Sequence, residues 1–134
     1  INFNVNTKSL LYFARAVAPE MIKKKSGSII VTGNTSALRG KANFCYFAPT
    51  KAAQRILAQA IARDLGPKGV HVAYVLIDAA VDTPRTRPIF FPKNKEDDFF
   101  CKPDSIANEI YHISHQERSA WSFDVELRPD IEKW

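Results

Sequence analysis

Two short, nearly unbroken apolar runs, SIIVT at residues 28–32 and VHVAYVLI at 70–77, stand on either side of a stretch with helical periodicity. A strand wetted on one face alternates polar and apolar residues. These runs do not, so both are expected to be covered on both faces, as strands of a parallel sheet are. Parallel neighbours need a crossover, here the intervening helix, and such crossovers are right-handed. The chain is thereby committed to the α/β class.

The remaining elements follow from the same periodicities. From about Asn4 to Lys25, Leu10, Phe13, Ala14, Val17, Ala18 and Met21 recur on one helical face, with a kink expected at Pro19 and a stop at Gly27. The central helix is expected from Asn43 or Phe44 to about Leu65, with Ala53, Leu57, Ala60 and Ile61 inward and Gly66-Pro67 ending it. Residues 78–102, with Pro84, Pro88, Pro92 and the pairs Phe90-Phe91 and Phe99-Phe100, read as one long irregular segment, a substrate loop or lid. A shorter helix is expected from Pro103 to near Gln116, with Ile106, Ala107, Ile110 and Ile113 inward. WSFDVELR at 121–128 then alternates strictly, which marks a strand with one wet face near a sheet edge.

Composition narrows the classes of function. A chain of 134 residues, 46% hydrophobic and 25% charged, makes at most one domain with a real core. The net charge of +5 is scattered except at Lys23, Lys24 and Lys25, which suit a helix C-terminus better than a nucleic-acid surface. No run approaches membrane-spanning length, and Cys45 and Cys101 lack metal or CxxC spacing, so a cytoplasmic protein with reduced thiols is expected. His112 and His115 lack a completing ligand set, and His71 reads as a strand-end histidine with a satisfied hydrogen bond. Gly33 and Gly40-Lys41 miss the spacing of a phosphate-binding P-loop, and Ala42 stands where a hydroxyl would hold magnesium. The first residue is Ile and the single methionine is Met21, so a piece of a longer protein is expected.

The chemistry is expected at the C-terminal ends of the parallel strands, within GSIIVTGNTSALRGKANFCYFAPTK at 27–51. This segment resembles the active-site segment of the short-chain dehydrogenase/reductase family. Lys51 and Asn6 match the family's lysine and helix asparagine, while Asn34 stands at its serine and Phe47 at its tyrosine. RDLGPKGVHVAYVLIDAAVDTP at 63–84 extends the likeness, with Asp78-Ala79 in place of Pro-Gly and Thr83 at the family's threonine.

The resemblance implies a three-layer Rossmann-type doubly wound parallel sheet, of which residues 1–134 supply the C-terminal portion without the N-terminal strands. It implies NAD or NADP, a small alcohol or carbonyl substrate, hydride transfer between them, and a homo-oligomer, with no nucleic acid and no membrane. Catalytic positions would be Asn6, Asn34, Phe47 and Lys51, and cofactor contacts Lys51, Asp78 and Thr83. A tyrosine phenol whose pKa is lowered by the lysine one turn away would deliver the proton, and Phe47 has none to give. Tyr46 points elsewhere if the helix starts as expected, whereas Thr35, Ser36 or Asp82 could assist, and Asn34 could donate through its amide. The alternative is a catalytically silent cofactor-binding or assembly protein of the same fold. The glycine-rich pyrophosphate turn has no counterpart in the sequence. An isolated chain is therefore expected to bind dinucleotide poorly and to leave a strand edge open.

Overall fold

The computed structural model describes residues 1–90 and 97–132. Strand β1 (Ser28–Asn34), strand β2 (His71–Ile77) and strand β5 (Asp124–Leu127) form a parallel sheet in the order β1-β2-β5. Ser28 pairs with His71 and Asn34 with Ile77, so both strands end together. Helix α1 (Ser9–Lys24) and helix α2 (Ala48–Leu65) cover one face, and helix α4 (Pro103–Ser114) covers the other.

Period-two alternation sorts the strand side chains between two cores. Ile29, Val31, Val72, Tyr74 and Leu76 pack with Leu10, Ala14, Ala18, Ala58 and Leu65 beneath α1 and α2. Ala73, Val75, Val125 and Leu127 meet Ile110 and Ile113 of α4. Ile113 is fully buried, which contributes roughly 2 kcal/mol on its own. β2 is buried on both faces, as its apolar run implied, whereas β1 lies at an edge with Thr32 exposed. Asp124 and Glu126 form the wet face of β5, where Asp124 takes a two-pronged ion pair from Arg55 of α2 at 3.1 and 2.5 Å.

Several local expectations change. The first helix is not uniform, since Asn4–Lys8 forms a π-turn before α1, and α1 runs on through Pro19. Lys25, at φ 50°, takes the left-handed cap, two residues before the stop that the sequence suggested at Gly27. Phe13 and Ala60 sit on exposed faces, as does Ala107 of α4. The described residues of segment 78–102 are not irregular throughout. They contain strand β3 (Ala80–Val81), the short helix α3 (Arg87–Phe90) and strand β4 (Phe100–Cys101), with β3 and β4 paired in parallel. Phe91 and Pro92 lie outside the described residues. No helix among the described residues is long and apolar enough to cross a membrane.

Candidate active site

The π-turn places Asn6 against the first turn of α2. One extra residue in the turn rotates the following side chains, and such turns recur at functional sites. Asn6 Nδ2 donates to Thr50 Oγ1 at 2.9 Å, and that hydroxyl donates to the Phe47 carbonyl at 2.7 Å. Thr7 Oγ1 donates to the Thr50 carbonyl at 3.0 Å. Thr50 is thus the hub that ties the asparagine to the helix bearing Lys51.

Lys51 is buried, 6% exposed, yet its ammonium is hydrogen-bonded. Nζ donates to the Thr32 carbonyl of β1 at 3.3 Å and to Gln54 Oε1. Burial lowers its pKa from the ordinary lysine value, because the charged form loses water. The lysine is held at the C-terminal end of β1, the end where the family likeness puts its chemistry.

Phe47 directly precedes α2, half-buried and edge-to-face with Phe44 at 6.3 Å between ring centres. The helix begins at Ala48, later than its periodicity suggested, because Lys41 to Phe47 is closed by turns onto the Lys41 and Phe44 carbonyls. Tyr46 therefore lies in the turn and not in the helix, but it is 84% exposed and lines neither cleft at this end of the sheet. No phenol stands next to Lys51 in the position Phe47 occupies.

A cleft of about 540 Å³ opens beyond the ends of β1 and β2, lined among others by Asn34, Arg39, Lys41, Phe44, Asp78 and Thr86. Asn34 Oδ1 accepts from the Ser36 amide at 3.1 Å and caps the 3₁₀ turn Thr35–Ala37. Its oxygen is thus committed to the loop, and its amide NH₂ is the group able to donate to a substrate. Asp78 lies 3.8 Å from Arg39, and its backbone N–H donates to the Leu127 carbonyl. Thr83 pairs its hydroxyl with that of Thr86 at 2.9 Å, so it reaches the cleft wall through Thr86.

Asp82 takes two bonds from Arg87, at 2.5 and 2.7 Å, and the Arg87 guanidinium also lies 4.9 Å from the centre of the Phe100 ring. The Arg87 hydrogen bond holds the Asp82 carboxyl below its ordinary pKa. This residue is an anchor of the 78–102 segment, and a proton-donor role does not suit it.

The structure thus joins Asn6 and Lys51 through Thr50, and gathers Asn34, Asp78 and the Thr83–Thr86 pair around one cleft. Arg39 and Thr50 escaped sequence reasoning, and Lys41 entered it only within the rejected phosphate-loop reading. Their signal was weak, two cations in a polar loop and one threonine beside Lys51. Among the described residues no three His, Cys, Asp or Glu side chains gather to hold a metal ion.

Comparison with known proteins bears on this geometry. A family model for short chain dehydrogenases matches residues 2–92. Dehydrogenase/reductase SDR family member 6 of Xenopus laevis is 32% identical over 85 residues, covering 63% of this chain and 34% of that protein. The crystal structure of a short-chain dehydrogenase from Rhodopseudomonas palustris superposes with a TM-score of 0.74 at 31% identity, over 95% of this chain and 50% of that one. A serine dehydrogenase complexed with NADP+ reaches 0.80 at 21% identity, over 96% of this chain and 54% of that one. The chain spans between about a third and about half the length of these relatives.

Proposed function

The chain belongs to the short-chain dehydrogenase family, and from that premise we propose that it contributes to an NAD- or NADP-dependent oxidoreductase acting on a small alcohol or carbonyl. The observation that carries this reading is the buried Lys51, bonded to β1 and tied through Thr50 to Asn6.

The donor set suits the nicotinamide end of such a cofactor. An ammonium has three N–H donors, and Thr32 and Gln54 take two of those on Lys51. The third would serve a ribose hydroxyl, and Thr86, paired with Thr83, lines the cleft beyond the strand ends. Residues 1–134 contain five glycines but no glycine-rich turn for the pyrophosphate. Bound there, the nicotinamide would supply or accept the hydride. Asn34 would orient the substrate oxygen through its amide, Asn6 would fix the lysine helix, and Phe44 and Phe47 would exclude water.

Phe47 leaves the proton-donor role open, which supports a weak enzyme or, as the rival reading, a silent cofactor-binding protein. Thr86 and Phe99 on the cleft wall support residues 78–102 as a substrate loop. Exposed Tyr12 and Phe13 on α1 and Ile56 on α2 support packing against a second copy. The free thiols of Cys45 and Cys101 support a cytoplasmic setting.

The test is Phe47→Tyr in the longest natural form of the protein, assayed with NADH and NADPH. A phenol beside Lys51 should raise turnover by about 10²- to 10⁴-fold if the site is intact but disarmed. Binding of either dinucleotide without any gain in turnover would favour the silent protein. Absence of dinucleotide binding by both forms would overturn the oxidoreductase reading.

A further inference from the structure

The other ends of the same strands carry a site that hydride transfer does not use. A cavity of about 170 Å³ at the N-terminal ends of β1 and β2 is walled by Lys25, Ser28, His71, Ser114, Arg118 and Trp121, among others. His71 is 3% exposed and stacks on Trp121 with ring centres 4.7 Å apart and planes 7° from parallel. Its Nε2 lies 2.8 Å from the Ser122 carbonyl. A carbonyl only accepts, so Nε2 carries the proton. Nδ1 is then a buried nitrogen with no protein hydrogen-bond partner among the described residues.

The surroundings say what such a nitrogen could meet. The Arg118 guanidinium lies 5.5 Å from the centre of the Trp121 ring on which His71 stacks. Its Nη2 stands 2.6 Å from where a Cβ on residue 69 would lie, and Gly69, at φ +87°, leaves that space to it. Lys25 adds a second cation, and no Asp or Glu lines the cavity. Two cations argue against a cationic occupant, and they favour a group whose negative charge would also draw a proton onto Nδ1.

We propose that this cavity binds a small oxyanion of the sulfate or phosphate class, held by Arg118, Lys25 and a His71 protonated on both ring nitrogens. A doubly protonated His71 donates to Ser122 from Nε2 and to the anion from Nδ1, which removes the unmet buried group. The proposal is independent of the oxidoreductase reading.

The chain has two tryptophans, so Trp134→Phe in the full chain leaves Trp121 as the only indole reporter. Sulfate is the first probe because its charge is constant between mildly acidic and mildly alkaline pH. His112, His115 and Glu117 do not line the cavity, so a difference in binding between the two ends of that range points to His71. The expected result is a saturable change in Trp121 emission, tighter at the acidic end. Arg118→Gln, on an exposed side chain, should weaken it by about tenfold or more, while Lys8→Gln on the distant π-turn should not. A phosphate monoester binding as tightly as sulfate would mean that the cavity accepts phosphate on larger molecules, and binding of inorganic ions alone would mean a free anion. A response no different from that to chloride, or equal affinities for the Arg118→Gln and Lys8→Gln chains, would overturn the proposal.

Discussion

Two buried polar side chains on the α1–α2 side of the sheet are treated in opposite ways. Lys51 reaches the Thr32 carbonyl and Gln54, within a unit that also ties Asn6 to Thr50 and Thr50 to the Phe47 carbonyl. Tyr74 of β2 is fully buried, and its hydroxyl has no hydrogen-bond partner among the described residues. The two meet on β1, where Thr32 serves the lysine and the next residue, Gly33, makes room for the tyrosine. Paired polar groups hold a geometry, while an unpaired one is tolerated only where packing forces it. The lysine unit therefore holds a fixed geometry, whereas the tyrosine fills the core.

The comparison breaks most severely at Gly33. A Cβ there would lie 1.9 Å from the Tyr74 hydroxyl oxygen, so Gly33→Ala should cost about 3 kcal/mol or more in denaturant unfolding. The same substitution in a Tyr74→Ala background should be nearly neutral. A full penalty in that background would show that the tyrosine is not what makes Gly33 necessary.

Next comes Thr50→Val, which keeps the shape but removes the hydroxyl. Asn6 Nδ2 would lose its acceptor and the lysine unit its hub, at a cost of about 1–2 kcal/mol. Thr50→Ser should restore most of it. Equal stability of the valine and serine chains would dissolve the distinction between the satisfied unit and the unsatisfied tyrosine.

The smallest effect has the opposite sign. Tyr74→Phe deletes an unmet buried hydroxyl and should stabilise the chain by about 1 kcal/mol at neutral pH. Burial pushes the Tyr74 pKa up from 10.0 to about 12, against the opposing Arg55 charge and with a smaller push from Asp124. A group whose folded pKa is raised contributes stability below its unfolded pKa and loses it above. Stability of the native chain should therefore fall as pH rises from 10 to about 12, and Tyr74→Phe should flatten that limb. An unchanged alkaline limb would assign it to other groups.

Much of the fold was legible because burial writes itself into periodicity. Residues 70–77 became a strand buried on both faces, and the strict alternation at 121–128 became the edge strand β5, shortened to Asp124–Leu127. Ala60 and Ala107 misled because alanine fits either face of a helix and carries little signal. The start of α2 was obscured because Lys41 to Phe47 closes by main-chain turns, which depend on carbonyl geometry more than on side-chain type.

By itself the sequence determined the parallel α/β order and the family likeness, since both rest on residue type and spacing. Only the tertiary structure decided that Thr50 joins Asn6 to the lysine helix, that Arg39 meets Asp78, and that His71, Trp121 and Arg118 line one cavity. The Asn6–Thr50, Arg39–Asp78 and His71–Trp121 contacts join residues far apart in the chain, and no local pattern records such a pair, because the sheet brings them together only once its register is set.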